Sequence, residues 1–157
     1  MSSASAPTLI DPRGPRFGAV ITSVVLALIL LLEGVAPVVS LGLLIVQTLA
    51  FAAGSLFGLE HQPYGRIFRG LVRPRLAPPA ELEDSRPPRF AQGVGLVFAL
   101  AGLAGVAFTL PWLFFGAVAL ALVAALLNAI FDFCLGCEIY LLSRRVLARA
   151  DAVGTAG

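Results

Sequence analysis

The sequence is poor in charged residues and contains no lysine. Charged residues make up 13% of the 157 positions and hydrophobic residues 59%, which is more apolar surface than a soluble domain of this length needs. The eleven basic residues are all arginine, and the net charge is only +2. Because the arginines flank apolar segments, lipid head groups rather than nucleic acid are the expected counter-charge. The composition predicts a membrane protein of one domain, with the lipid bilayer as its surroundings and no nucleic-acid partner.

Motifs for nucleotide chemistry and for hydrolysis are missing as well. The chain has no Walker loop, dinucleotide fingerprint, nucleophile elbow or paired metal-ligand motif. Nucleotide-driven transport and hydrolysis therefore have no supporting residues, and no cofactor is predicted. If the protein is an enzyme, its two cysteines make it a thiol–disulfide oxidoreductase.

What the chain has instead is four long apolar runs. Each has about the 17–25 residues needed to cross a hydrocarbon core about 30 Å thick. Since only helices satisfy the backbone within one segment in lipid, the prediction is an all-α fold, a polytopic membrane protein with four transmembrane helices in two hairpins. The predicted single membrane domain covers residues 1–157, with helices at about 17–33, 37–59, 90–110 and 112–133, a cytoplasmic extension to about 148 and a cytoplasmic loop at 60–89.

The arginines also predict the orientation. They precede the first helix, fill the central loop and follow the fourth helix, whereas neither hairpin turn contains one. By the positive-inside rule, both termini and the loop face the cytoplasm, which predicts a multi-pass protein of the cytoplasmic membrane. A cleaved signal peptide over residues 1–36 is the alternative, but its removal would leave three spans and an inverted charge balance.

The two hairpins resemble each other in sequence. Arg-Gly-Pro-Arg-Phe at 13–17 precedes the first helix and Arg-Pro-Pro-Arg-Phe at 86–90 precedes the third, with Pro37 and Pro111 at similar distances downstream. Because both hairpins would start inside, the fold is predicted to contain parallel repeats about an axis along the membrane normal. Arginine flanks and proline turns are also common in unrelated membrane hairpins, and this explanation stays open at the level of sequence.

The only two cysteines, Cys134 and Cys137, lie where the fourth apolar run ends. At this spacing on a helix their Cα atoms would be roughly 5 Å apart, close enough for a disulfide. Since the cytoplasm is reducing, a pair that cycles between dithiol and disulfide is predicted rather than a permanent bridge, with Cys134 as the attacking thiol. The neighbouring Asp132 and Glu138 are candidates for tuning the thiols, because acidic groups oppose the thiolate.

Two other roles fit the same cysteines. Together with His61, the only histidine, Cys134 and Cys137 could hold zinc, and the thiolates alone could hold copper(I) or a sulfur species in a transport module. The usual second cysteine pair is missing, however, and a lone histidine at an interface is more often solvated or hydrogen-bonded. In the other role the cysteines only pack, as small apolar side chains, in a non-catalytic membrane scaffold.

The run Phe-Asp-Phe-Cys-Leu-Gly-Cys at 131–137, with Asp-Pro-Arg at 11–13, resembles a family of bacterial integral membrane proteins called domain of unknown function 4395. The resemblance covers roughly residues 10–145, and its most specific part is the Phe-Cys-x-Gly-Cys motif. The family is common in actinobacteria, and the arginine-only, alanine-rich composition is typical of a high-GC bacterium. The resemblance implies thiol or sulfur chemistry, with a thioredoxin-like protein or a rhodanese-like sulfurtransferase as partner.

Overall fold

Helices make up most of the molecule, as predicted. The computed structural model describes residues 8–154, so the outermost residues of the predicted 1–157 domain lie outside the described part. The helices are α1 (Arg13–Leu32), α2 (Pro37–Ala52, continued by a π-helical turn over Ala53–Phe57), α3 (Pro63–Ile67), α4 (Arg86–Ala107), α5 (Pro111–Phe131) and α6 (Leu135–Gly154). Four of them, α1, α2, α4 and α5, are long and apolar enough to cross a membrane. The all-α polytopic fold is thus confirmed.

Prolines mark the start of three spanning helices. α2 begins at Pro37 and α5 at Pro111, where the sequence predicts helix starts, and α4 has Pro87 in its first turn. Proline is favoured there because the first N–H groups of a helix have no intrahelical partner. The connections at 33–36 and 108–110 are accordingly short, and each joins two spans into a hairpin.

The two hairpins pack side by side into one bundle. α1 packs against α2 and α5, and α4 packs against the same two helices. Close approach depends on small residues: a Cβ added at Gly105 would lie 2.5 Å from the backbone nitrogen of Phe114. In lipid such close packing, rather than the hydrophobic effect, holds helices together. The buried core consists of Leu26, Ile29, Leu44, Phe51, Ala99, Phe114, Val118 and Ala121.

The outer surface of the bundle is apolar. In the most hydrophobic window of each span, no more than 33% of the residues are buried. Leu31, Val38 and Val97 are 72%, 83% and 66% exposed. A soluble monomer rarely leaves so large a contiguous apolar surface in water, whereas in a bilayer these side chains contact acyl chains. The chain is therefore a multi-pass membrane protein.

The end of the bundle where α1 and α4 begin is here called the arginine end. It carries a two-stranded sheet, in which β1 (Leu9–Ile10) pairs antiparallel with β2 (Glu83–Asp84). It also carries α3, which continues as a π-helical turn over Phe68–Val72 and a 3₁₀ turn over Arg73–Arg75. Much of the predicted 60–89 loop is thus folded.

This segment folds back because two aromatic side chains are buried against α1. Tyr64 and Phe68 are 8% and 3% exposed. A Cβ added at Gly14 or Gly18 of α1 would contact Phe68 or Tyr64, respectively. Both aromatic side chains thus pack on the first turns of α1, which holds α3 against this helix.

Contacts of the first hairpin recur in the second. Arg16 Nε donates to the carbonyl oxygen of Ala129 at the end of α5 (3.3 Å), and Arg89 Nε, 73 positions after Arg16, donates to the carbonyl oxygen of Ser55 at the end of α2 (2.8 Å). In the same way, α3 packs on α1 and α6 packs on α4. Parallel repeats require such paired contacts, whereas chance resemblance between two hairpins does not.

Candidate functional site

The cysteine pair lies at a break between α5 and α6. α5 ends at Phe131, and Asp132 has a φ of 57°, a left-handed conformation that aspartate tolerates better than most residues. The Asp132 N–H donates to the carbonyl oxygen of Leu127, which closes the helix. The chain turns at Asp132, and the extension predicted to about 148 is a separate helix, α6, which packs against α4.

An arginine from α1 holds the end of α5. Besides its hydrogen bond to the Ala129 carbonyl, Arg16 places Nη1 3.8 Å from a carboxylate oxygen of Asp132. A cation at a helix C-terminus offsets the partial negative charge of the last carbonyl groups. Asp132, a predicted tuning residue, thus pairs with Arg16 across an exposed surface, which weakens any repulsion that it exerts on a nearby thiolate.

Cys134 and Cys137 are joined by a disulfide, and their Cα atoms are 5.2 Å apart. Both residues are partly buried. Cys134 immediately precedes α6, and its Sγ accepts a hydrogen bond from the Cys137 backbone N–H (3.3 Å). This is the position of an N-cap, where unpaired helix N–H groups favour negative charge. In the reduced protein this geometry would favour the thiolate at Cys134.

Glu138, the other predicted tuning residue, lies in the first turn of α6 and is exposed. Its backbone N–H donates to the carbonyl oxygen of Cys134 (3.0 Å), which starts the helix. An acidic side chain in a first turn interacts favourably with the helix dipole. Glu138 therefore stabilises the helix that carries the cysteine pair, whatever its effect on the thiols.

Gly136 determines how closely α6 approaches α4. A Cβ at this position would lie 2.7 Å from both the Cα and the Cβ of Ala91, closer than carbon atoms of two residues can pack. Next to it, the rings of Phe90 and Tyr140 have their centroids 5.7 Å apart. The start of α6, which carries the disulfide, is consequently held against the start of α4 by the Gly136 contact and by the aromatic pair.

The substitution Gly136→Ala is expected to loosen α6 from α4, because the new Cβ overlaps the Ala91 backbone. Hydrogen exchange of the α6 amides should become about tenfold faster, which is about 1.4 kcal/mol and within the usual range for overpacking. Gly116→Ala is the matched control, since nothing lies within 4 Å of a Cβ there. Unchanged exchange in Gly136→Ala would contradict the proposed contact.

A cavity of about 200 Å³ adjoins Cys134. We call it the cysteine cavity. It lies between α1, α4, α5 and α6, and its walls are mostly small or apolar, including Ala19, Pro88, Gly95, Phe98, Leu120 and Ala125. Asn128 also lines it, and its side chain forms no hydrogen bond with the part of the chain that the structure describes. A small apolar molecule or an acyl chain could approach Cys134 from this side.

His61 is not part of the cysteine site. Its Nδ1 lies 3.0 Å from the carbonyl oxygen of Phe57 and 3.8 Å from a carboxylate oxygen of Glu60. Within residues 8–154 no group of three or more histidine, cysteine, aspartate or glutamate side chains is placed to hold a metal ion. The alternative metal site of Cys134, Cys137 and His61 is therefore not formed, because the His61 ring contacts Phe57 and Glu60 instead of the cysteines.

A buried polar link joins α1, α2 and α3, and sequence reasoning missed the part that Tyr64 plays in it. Gln47 is fully buried; its Oε1 accepts from the Tyr64 hydroxyl (2.8 Å), and its Nε2 lies 3.5 Å from the Thr22 hydroxyl oxygen. Burial raises the pKa of Tyr64, so its hydroxyl remains a donor at neutral pH. No sequence signal connects Tyr64 with Gln47, because Tyr64 lies in the segment that reads as a loop.

Comparison with known proteins identifies the family. A family model described as Domain of unknown function (DUF4395) matches residues 10–145. The chain belongs to this family. The family match covers the four spans and both cysteines, and it confirms the resemblance that the sequence motif carries. No curated protein and no solved structure matches the chain.

Proposed function

We propose that the protein is a thiol–disulfide redox module of the cytoplasmic membrane, in which Cys134 and Cys137 cycle between disulfide and dithiol. The observation that carries the proposal is the bonded pair across the first turn of α6, with the Cys134 sulfur at the N-cap. Cysteines at helix N-termini are activated because the thiolate is stabilised there. Partial burial keeps the pair in place without closing it off from a partner.

The reaction transfers two electrons from a partner dithiol to the pair. A thiolate of a soluble thioredoxin-like partner attacks Cys134 Sγ, the bond between the two sulfurs breaks, and Cys137 leaves as a thiolate that takes up a proton. The second thiol of the partner then attacks the partner's own sulfur in the mixed disulfide and releases Cys134. The products are a dithiol on this chain and a disulfide on the partner. A sulfurtransferase is the alternative partner.

The location of the pair supports a cytoplasmic encounter. The break at 132–134 lies at the arginine end, where Arg16 and Arg89 bind the last carbonyl groups of α5 and α2. Under the positive-inside rule this end faces the cytoplasm, and both termini lie there as well. Soluble reduced partners would then meet the disulfide on the side where they are abundant.

A redox titration tests the proposal. Intact membranes are equilibrated at a series of potentials, with and without reduced thioredoxin, and Cys134 and Cys137 are alkylated and counted by mass spectrometry. We expect a reversible disulfide with a potential between about −120 and −270 mV, the range of exchange proteins. Two thiols that stay reduced throughout, or a bridge that reduced thioredoxin does not open, would contradict a redox role.

A further inference from the structure

A second cavity, of about 190 Å³, lies at the arginine end. It is enclosed by the segment before α1, the first turns of α1, residues 59–73 and the start of α4, and we call it the amide cavity after Gln62 and Gln92, which line it. Leu9 and Leu82 also line it and are about half exposed, so the cavity reaches the surface of the protein. Neither cysteine is among the described residues that line it.

The amide cavity is the counterpart of the cysteine cavity in the first repeat. Gln62 immediately precedes α3, just as Cys134 immediately precedes α6. Gln62 Oε1 accepts a hydrogen bond from the backbone N–H three residues later, that of Gly65 (2.7 Å). Cys134 Sγ likewise accepts from the backbone N–H three residues later, that of Cys137. The first repeat therefore has an amide where the second has a thiol. The structural frame is shared, but the chemistry presented to the cavity differs.

Two amide atoms at this cavity are without partners. Gln92 Oε1 is buried and accepts no hydrogen bond from the described residues. Gln62 is 5% exposed. Its Oε1 accepts a hydrogen bond from the Gly65 N–H, whereas its Nε2 makes no hydrogen bond within residues 8–154. The two side chains meet over Gly54, since a Cβ there would lie 3.1 Å from Gln62 Cγ and 3.1 Å from Gln92 Oε1. A buried acceptor without a partner among the described residues, Gln92 Oε1, thus lies beside the Gln62 side chain, whose Nε2 is an unused donor.

The charge around the cavity is positive. Arg69 and Arg73 line it, together with one acidic residue, Asp11. The Asp11 carboxylate is already paired with Arg13, whose Nε and Nη2 donate to it at 3.0 and 2.9 Å, and this pairing holds the pKa of Asp11 below its usual value. The Arg73 guanidinium, whose charge also lowers the pKa of Asp11, forms no hydrogen bond with the described residues, so its N–H groups are available to an anion.

We propose that the amide cavity binds a glycerophosphate group, with the phosphate at Arg73 and a glycerol hydroxyl between Gln62 and Gln92. A hydroxyl both accepts and donates a hydrogen bond, so it would satisfy Gln62 Nε2 and Gln92 Oε1 together. Phosphate is matched by the arginine fork. The volume exceeds the roughly 150 Å³ of a cavity that admits benzene. The group has two sources, the head group of phosphatidylglycerol in the bilayer and free glycerol phosphate.

The test measures binding to the full-length protein in neutral detergent. Titration calorimetry with sn-glycerol 3-phosphate probes the free ester, and native mass spectrometry from nanodiscs of phosphatidylglycerol or phosphatidylcholine probes the lipid. Gln92→Leu and Arg73→Gln should each weaken binding by about tenfold or more. Arg75→Gln is the matched control, because Arg75 is an exposed arginine two positions along that does not line the cavity.

The proposal is supported if either probe binds the wild type, binds both variants more weakly and binds the control as tightly as the wild type. Calorimetry with the free ester or mass spectrometry with the lipid, whichever shows this result, identifies the source of the group. Failure of both probes to bind, or variants that bind as tightly as the wild type, would overturn it. Neither variant is expected to misfold. Gln92→Leu removes an unpaired buried acceptor and should raise the melting temperature of the ligand-free protein. Arg73→Gln changes an exposed side chain and should leave the melting temperature unchanged. Gln92 lines the cysteine cavity as well, but Arg73 does not, and because the test reads binding and not thiol exchange, its outcome is separate from that of the redox titration.

Discussion

Replacing either Cys134 or Cys137 with serine is expected to abolish two-electron exchange with reduced thioredoxin, to below about a thousandth of the wild-type rate. A single thiol can enter a mixed disulfide, but this chain can then no longer form its internal bridge. The rate is measured by mixing oxidised protein with reduced thioredoxin and alkylating the thiols of both proteins at set times. Full exchange in both variants would contradict the proposed function.

The two serine variants are also expected to differ from each other. Cys137→Ser retains the thiol at the N-cap of α6 and should accumulate a mixed disulfide with a partner, whereas Cys134→Ser should accumulate little. Membrane insertion and thermal unfolding are the controls. The bridge closes only a short loop, so its loss should cost about 2 kcal/mol and leave the bundle folded. If both variants accumulated equal amounts of mixed disulfide, the assignment of Cys134 as the attacking thiol would be contradicted.

The substitution Gly105→Ala is expected to destabilise the bundle by about 1–3 kcal/mol. The added Cβ would lie 2.5 Å from the backbone nitrogen and 2.9 Å from the Cα of Phe114. A long side chain could rotate away from such a clash, but the backbone of α5 cannot. The α4–α5 hairpin must therefore open, which loosens packing against Leu44 and Val118 in the core.

The free energy of unfolding in mixed micelles measures this effect. Gly42→Ala and Gly116→Ala are the matched controls, because both glycines lie in spanning helices and have nothing within 4 Å of an added Cβ. Alanine has a higher helix propensity than glycine by up to about 1 kcal/mol, so the controls should be as stable as the wild type or more so. If Gly105→Ala matched the controls, the close contact with Phe114 would not exist in the membrane.

The spans could be read from the sequence because they depend on local properties. The length of an apolar run reflects the thickness of the bilayer, and Pro37 and Pro111 mark helix starts because proline fits the first turn. The family could be recognised from the motif at 131–137, and the match over residues 10–145 confirms it. The repeated Arg-Phe pairs likewise anticipated the paired contacts of Arg16 and Arg89.

The site was predicted less completely. The motif identified Cys134 and Cys137, and their spacing predicted that they could be bonded, but nothing in the sequence indicated that α6 packs against α4. An aspartate in a left-handed conformation has a weaker sequence signal than glycine, so the predicted end of the fourth helix, at about 133, lies slightly beyond the end of α5 at Phe131. The three-ligand zinc site is not formed, because the His61 ring contacts Phe57 and Glu60 instead of the cysteines.

The sequence by itself determined the class of protein, the number of spans, their pairing into hairpins and the position of the cysteine pair. Only the tertiary structure decided that Cys134 caps a separate helix held by Ala91, and that Gln62 and Gln92 meet over Gly54. The physical reason is the range of the forces. Burial in lipid acts on each segment alone, whereas contacts between distant residues depend on how closely the small residues of the helices allow them to pack.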